Sequence, residues 1–408
     1  MEKLMKEDFE KLNKDYIYVA KRKFNVDLTN DVTSVYISDV LISLYFEGKR
    51  NDSRIAISLV GSFVGQTVIS EWGGDWFPEN FSIKYVGKNK ITVNPFSISH
   101  QRLTKGVNKT LFRQLEMVSH KANNEELYDR LDEDRISFVF NRLYNDGWWP
   151  ISMIYKKNLP NYVKYEIAYI LGLMAKYLKD KENIKQKFRE LLENKETTYY
   201  ACVVFQNCLF SEFIDKILEI ISSKDYSNNV KAQAISALIG REVKNDEKIM
   251  DYAHKLLFKL DNPILKFYVG NLLGTFDNPK NIQWINNNLL NNNVDEFSKL
   301  ALLVAVQLLR KKEFVNTMLS IFLNGNAPES IKDEIIKTLH LLPVSEEIYH
   351  LRKKYDNFDM KNKIGFINIV LFSDFNKKKQ VLLDILSSEN DSFVKSYILS
   401  ALDNLSEE

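Results

Sequence analysis

The feature that most constrains the fold of this chain is a short pattern that recurs through its C-terminal two thirds. An apolar residue is followed by Lys, and small or apolar residues follow three, four, six and seven positions beyond that Lys. This spacing predicts an amphipathic helix with one buried side. The clearest copies are 163–172, 230–238 and 394–402. Five more start at Tyr199, Leu265, Ser298, Ile331 and Met360, and the Tyr199 copy has Tyr200 in place of Lys.

The copies lie about 29 to 36 residues apart, a spacing that suits two helices joined by short turns. A second amphipathic segment precedes each copy, for example 211–223 and 378–387, so the repeating unit is a helix pair. Turn-forming residues separate the pairs, as at 225–229. Since one pair cannot bury its apolar face alone, about eight in a row predict a continuous stack from about residue 128 to 405.

The segment 230–238, with the pattern Val-Lys-x-x-Ala-Ile-x-Ala-Leu, resembles HEAT-like repeat proteins, whose second helix often carries Val-Arg-x-x-Ala-Ala-x-Ala-Leu. The resemblance covers most of residues 160–405 and is good again at 394–402. It implies a mainly α fold, a right-handed α-solenoid of about eight HEAT-like helix pairs that presents a concave face. It implies no activity, because a fold of this kind hosts many functions.

Residues 1–122 do not repeat and predict a small α+β cap domain. Its helices are predicted at 2–24, 32–46, 53–72, 96–103 and 111–120. In the third helix, Gly61 and Gly65 would let a neighbouring element approach closely. Near 81–93 the apolar residues alternate around Gly87, which indicates a short β-hairpin.

The polar residues 121–126 mark the predicted boundary, so that the predicted domains are 1–122 and 128–408. The N-terminal string Gly61-x-x-x-Gly65, Trp72-Gly-Gly-Asp-Trp76 and Pro95-Phe96 loosely resembles small uncharacterised bacterial domains. That resemblance implies no activity for the cap domain. The cap would either complete the binding groove of the solenoid or recruit a second partner.

The composition predicts a cytoplasmic protein that makes no membrane contact. The 56 Lys and Arg nearly balance the 54 Asp and Glu, which excludes a strongly polyanion-seeking chain but allows a local basic stripe. Cys202 and Cys208 do not form a disulfide framework, which favours a reducing compartment. The N-terminus lacks the pattern of a signal peptide, and the longest apolar stretch, 300–309, is about half the ~20 residues of a membrane helix.

The recurring cation is the first candidate functional feature. We call these residues the lysine series: Lys164, Lys231, Lys266, Lys299, Lys332, Lys361 and Lys395. A cation in the first turn of a helix opposes the helix dipole, so its recurrence requires a reason. One interpretation is a structural ladder, in which each Lys contacts an acid of a neighbouring turn, with Asp261, Asp295, Asp359 and Asp391 suitably placed. The other is an anion-binding stripe for a nucleic acid or an acidic protein.

Four tryptophans form the second candidate feature. Trp72 and Trp76 fall in one turn, Trp148 and Trp149 in another, and the two turns flank the predicted domain boundary. These side chains either pack against one another to fix the cap on the first repeat, or they form an exposed aromatic interface for a protein partner.

No phosphate loop, dinucleotide fingerprint, nucleophile elbow or metal-ligand spacing occurs in the sequence, so no cofactor or metal is predicted. The leading hypothesis is therefore a non-enzymatic protein-binding protein, such as an adaptor, a regulator or an immunity-type protein. The alternative is a nucleic-acid-binding protein that uses the lysine series. Some HEAT-like folds house DNA-repair enzymes, which is consistent with this alternative. A third hypothesis is an enzymatic cap domain centred on Glu71, Asp75 and His100. The sequence does not predict the oligomeric state.

Overall fold

The computed structural model describes residues 6–239, 246–323, 327–344, 348, 352–372 and 377–405, and most of these residues are helical. The predicted fold class, α-solenoid helix pairs with a small N-terminal α+β segment, is confirmed. By their contacts, the residues form two compact units, Met1–Asp215 and Lys216–Glu408. The first unit contains both the α+β segment and the first helix pairs, and the domain boundary at 122–128 stays a prediction, as does the concave face.

The first unit begins with three long helices and a small sheet. Its helices are α1 (Lys6–Phe24), α2 (Val32–Tyr45), α3 (Arg54–Trp72), α4 (Pro95–Lys105), α5 (Leu111–Asn123), α6 (Glu133–Asn145), α7 (Ser152–Tyr155), α8 (Asn161–Tyr177), α9 (Lys181–Glu193) and α10 (Thr198–Phe205). The sheet is antiparallel, with strands β1 (Asp75–Phe77), β2 (Ser82–Val86) and β3 (Ile91–Val93) in that order. The hairpin predicted near 81–93 is β2 and β3. The short strand β1 was not predicted.

Helix α3 is the centre of the N-terminal segment. A Cβ atom on Gly61 would lie 2.6 Å from the ring of Phe96, and one on Gly65 would lie 2.3 Å from the ring of Trp76. The close approach predicted from these two glycines is therefore confirmed, and the approaching elements are α4 and β1.

Helix α3 is also a candidate membrane span that the sequence analysis did not find. Within the described residues, Arg54–Trp72 is the one helix long and apolar enough to cross a membrane, and half of that apolar window is buried inside the protein. The search for an uninterrupted apolar stretch missed it because Ser, Gly, Gln and Thr interrupt the sequence. Its contacts with α1 and α4 are those of a core helix.

A buried charged network joins four helices of the first unit. The Arg102 guanidinium on α4 donates to Oδ1 of Asp39 on α2 over 2.8 Å and lies 2.9 Å from Oε1 of Glu166 on α8. Asp39 also accepts from the backbone amides of Leu111 and Phe112, the first two residues of α5. Glu166 accepts from the amide of Val107 over 2.7 Å. Because each charge has an opposite partner and hydrogen bonds, the network fixes α2, α4, α5 and α8 together.

The second unit consists of helix pairs. Helix α11 (Ile214–Ser222) contains the boundary between the units, and the described helices that follow are α12 (Asn228–Ala237), α13 (Glu247–Lys259), α14 (Pro263–Leu273), α15 (Pro279–Leu290), α16 (Glu296–Leu309), α17 (Val315–Phe322), α18 (Glu329–Leu339), α19 (Met360–Phe372), α20 (Lys378–Ser388) and α21 (Ser392–Asn404). The second helices of successive pairs, α12, α14, α16, α18 and α19, pack side by side. Buried Leu, Ile and Val residues of these helices form the core.

Candidate binding surface at the second helices

Six of the seven lysines in the series occupy one structural position, the fourth residue of the second helix of a pair. This is true of Lys164 in α8, Lys231 in α12, Lys266 in α14, Lys299 in α16, Lys332 in α18 and Lys395 in α21. Helix α19 differs, since its fourth residue is Lys363 and Lys361 is its second. Four buried residues, Phe366, Ile367, Ile369 and Val370, follow Lys363 at the pattern's spacing.

Lys266 is the clearest member of a structural ladder. Its side chain is 7% exposed, and Nζ lies 2.8 Å from Oδ2 of Asp295 and 2.9 Å from Oγ of Ser298. Asp295 is the N-cap of α16, and its Oδ1 accepts from the amide of Ser298. Burial alone would raise the pKa of Asp295, but the hydrogen bonds from Lys266 and Ser298 lower it to about 2. Lys266 therefore ties α14 to the start of the next second helix.

Two further contacts follow the same direction. Lys363 Nζ lies 3.0 Å from the carboxylate of Glu389, which is buried just before the N-cap of α21 and also accepts from the Tyr355 hydroxyl over 2.8 Å. In the first unit, Lys164 Nζ lies 5.8 Å from the centre of the Tyr200 ring on α10. Each of these lysines contacts the beginning of the next second helix.

Lys332 and Lys361 are placed close to acids of α18. Lys332 is 7% exposed, and its Nζ lies 3.9 Å from Glu329 one turn earlier. Lys361 Nζ pairs with Glu329 and lies 3.0 Å from Oδ1 of Asp333. Lys332 is thus almost completely buried, and Lys361 is paired with two acids at the surface.

Lys231 departs from this arrangement. The two residues of α16 that bind Lys266 are its N-cap and its third residue, and the corresponding residues of α14 are Asn262 and Leu265. The carboxylate acceptor is thus replaced by a neutral amide and the hydroxyl by an aliphatic side chain. Lys231 has no hydrogen bond or ion pair with any residue that the structure describes, and it lies at the wall of a cleft.

Lys299 and Lys395 also lack such a contact within the described ranges. Helix α18, which follows Lys299, has Pro328 as its N-cap and Ile331 as its third residue, so it offers no side-chain acceptor there. Partial burial lowers the pKa of Lys299. Helix α21, which carries Lys395, is the last helix described.

The cleft beside Lys231 has a volume of about 590 Å³ and lies among α11, α12, α13 and α14. We define the basic cleft by Lys224, Lys231, Lys255 and Lys259, with Asp261 as the one carboxylate among its lining residues. Lys255 and Lys259 are one turn apart on α13 and both are exposed. Asp251, one turn before Lys255, is paired with Lys280 at 3.0 Å. The cleft therefore carries an excess of positive charge.

A second recurring feature is an exposed apolar residue two positions before the lysine. We call Tyr162, Ile264, Phe297 and Phe393 the first-turn apolar residues, because each is the second residue of its helix. Ile264 is 65%, Phe297 48% and Phe393 58% exposed. Sequence reasoning missed them because it assigned apolar residues near the pattern to the core. The available signal was an aromatic or branched residue two positions before Lys in four copies.

The tryptophans do not form one cluster. Trp72 and Trp76 are buried, and the Trp76 ring centre lies 4.5 Å from that of Phe9, so these two do not form a partner surface. Trp148 packs on Phe24 of α1 at 4.7 Å, and Trp149 lies 5.4 Å from Tyr144. The tryptophans were predicted to pack between the N-terminal segment and the first repeat. Of these contacts, only that of Trp148 with α1 does so.

Of the three residues considered for an enzymatic cap, Glu71 is engaged in other contacts and the other two are exposed. Glu71 accepts from the amide of Val32 over 3.2 Å and pairs with Arg130, while Asp75 and His100 are exposed. Cys202 and Cys208 are free and buried, and burial raises the pKa of the Cys202 thiol to about 12. Among the residues with described positions, no group of three His, Cys, Asp or Glu side chains is arranged to hold a metal ion.

The architecture is that of a helical repeat protein. No protein-family model matches the sequence, and no curated protein matches it. Two solved structures with which it can be superposed are a crystal structure of Kap121p, at 12% identity and a TM-score of 0.40, and a multiple mutant of Kap121p, at 12% identity and 0.42. The matches cover 96% and 98% of this chain but 45% and 49% of those structures, so the chain spans about half their length. Similarity at this level carries no inference about partners or activity.

Proposed function

We propose that this chain is a non-enzymatic protein-binding scaffold that uses the first turns of its second helices as a contact surface. The observation that carries the proposal is the repeated exposure of Ile264, Phe297 and Phe393 at the same helical position. Ile264 and Phe297 lie on α14 and α16, which pack against each other. Exposed apolar residues that recur on one surface are typical of protein interfaces, and aromatic residues are enriched among those that contribute most to binding.

Affinity capture from the native cell with the tagged full chain tests the proposal. The double variant Ile264→Ser/Phe297→Ser should lose a partner that the wild type retains, at an unchanged melting temperature, because both side chains are exposed. Leu290→Ser is the matched control, since Leu290 is 49% exposed at the end of α15, a first helix. If the double variant and the wild type capture the same proteins, the proposal is wrong.

The alternative, nucleic-acid binding through the lysine series, has weaker support. A regular stripe of phosphate contacts needs free cations in successive pairs. Lys266 and Lys332 are almost completely buried, and Lys266 and Lys361 are paired with acids. Filter binding of generic DNA and RNA at low salt tests this alternative, because counterion release favours such binding most under those conditions.

A further inference from the structure

We propose that the basic cleft binds an acidic polypeptide segment that also carries an apolar side chain. This inference rests on the proposed function, because it names the chemistry of the partner segment. Neighbouring helix pairs differ at the cap that faces the lysine. At the junction of α14 and α16, Lys266 is paired with the Asp295 carboxylate at 2.8 Å, whereas at the junction of α12 and α14 the equivalent cap is the neutral Asn262.

The other lysines increase the excess of charge. Lys255 and Lys259 are like charges one turn apart, an arrangement that mildly destabilises a helix. Lys224 adds a third exposed ammonium group at the wall of the cleft. None of these three has an ion pair with a residue at a described position. Four cations around one cavity, with Asp261 as the lining carboxylate, favour an anionic ligand.

The remaining walls distinguish between kinds of anion. Leu256, Leu260 and Leu265 line the cleft, and its aromatic residue is Tyr252, whose hydroxyl is 2.6 Å from that of Ser222. Proteins that bind single-stranded nucleic acids stack successive bases on several aromatic rings, and the lining of this cleft has one. The half-buried Leu260 beside these lysines instead suits an acidic peptide with a leucine-like side chain.

The cleft lies next to an exposed apolar residue of α14. Asn262 and Leu265 line it, and the exposed Ile264 belongs to the same first turn of α14. The basic cleft therefore borders Ile264, one of the first-turn apolar residues. A partner segment with carboxylates followed by an apolar residue would contact both surfaces.

Fluorescence anisotropy with the full chain provides the test. The probe is a short fluorescein-labelled peptide rich in glutamate and containing leucine, and the comparison probes are its glutamine counterpart and single-stranded oligothymidine. The wild type should bind the glutamate peptide about tenfold more tightly than the glutamine peptide, a difference that added salt reduces. Lys255→Gln/Lys259→Gln should weaken binding about tenfold, as expected for the loss of two ion pairs.

Two further variants separate charge from folding. Asn262→Asp supplies the cap that Lys266 has in the next pair, and it removes no lysine. It should reduce peptide affinity severalfold without lowering the melting temperature, since Asp and Asn are equally good N-caps. Lys353→Gln/Lys354→Gln is the control, because it removes two exposed lysines from the same unit outside the cleft, and it should leave affinity unchanged.

The inference is overturned if the cleft variants bind the glutamate peptide as well as the control does. It is also overturned if oligothymidine binds more tightly than the peptide and depends on the same lysines. Failure of the proposed function has a different signature, in which capture does not depend on Ile264 and Phe297. If capture depends on those two residues and the peptide does not bind, only the inference about the cleft is wrong.

Discussion

The ammonium group of Lys266 lies 2.8 Å from the carboxylate of Asp295, and this pair joins the fourth residue of α14 to the N-cap of α16. Lys266 is 7% exposed, whereas Asp295 is half exposed. Loss of the carboxylate would thus leave an almost buried cation with the Ser298 hydroxyl as its remaining partner among the described residues. The contact is therefore expected to stabilise the packing of the two helices.

Asp295→Asn tests this contact without removing the helix cap, because Asn is an equally good N-cap. The variant should lower the free energy of unfolding by about 1.5 kcal/mol, the lower end of the usual contribution of a hydrogen bond to a charged group, because Asp295 is half exposed. Urea unfolding followed by circular dichroism measures it. A double-mutant cycle with Lys266→Met isolates the pair, and a coupling energy indistinguishable from zero would contradict the ladder at this junction.

The ladder contacts should also make the stability of the protein depend on pH. The hydrogen bonds to Asp295 and Glu389 outweigh burial and lower the pKa of each carboxyl to about 2. Since the folded pKa values lie below the unfolded ones, the stabilisation is present above about pH 4.5 and is lost as the pH falls towards 2. Thermal unfolding of the wild type and of Asp295→Asn/Glu389→Gln between pH 7 and 3 should show the two melting temperatures converging. Parallel curves would contradict this assignment.

A larger effect is expected at Arg102 in the first unit. Burial would lower the pKa of Arg102, but Glu166 and Asp39 raise it, so the guanidinium stays charged. Arg102→Lys keeps the charge but loses the planar group that reaches Asp39, Ser43 and Glu166 together. Urea unfolding should show a loss of about 3 kcal/mol, within the range for disrupted buried pairs. Arg54→Lys is the control, because Arg54 is exposed. Equal stability of the two variants would contradict the role of the network.

The helices were predictable because their signal is local. Apolar spacing, turn residues and caps such as Ser227, Asn262 and Asp391 lie within a few residues of each helix start. The strand β1 was not predictable in this way, since three residues give no alternation. The network of Asp39, Arg102 and Glu166 depends on contacts between residues that are far apart in sequence, which no local pattern encodes.

The candidate surface was predictable only in part. The sequence indicated the lysine series and both of its interpretations, but it did not show that Asn262 replaces the acidic cap beside Lys231. In α19 either Lys361 or Lys363 could be the lysine of the pattern. The seventh residue beyond Lys361 is the polar Asn368, where the pattern has a small or apolar residue. Whether Ile264 and Phe297 face the core or the solvent depends on where each helix begins, and a shift of one residue turns a side chain by about 100°.

The close packing of α14 on α16 gives the last prediction. A Cβ atom on Gly270 would lie 2.2 Å from the backbone oxygen of Ala301, a contact that no side-chain rotation can relieve. Although alanine normally favours a helix over glycine by about 1 kcal/mol, Gly270→Ala should separate the two helices and lower the melting temperature by several degrees. Asn271→Ala, at the half-buried next residue, is the control. Differential scanning calorimetry measures both, and a Gly270→Ala variant as stable as the wild type would show that the two helices separate at little cost.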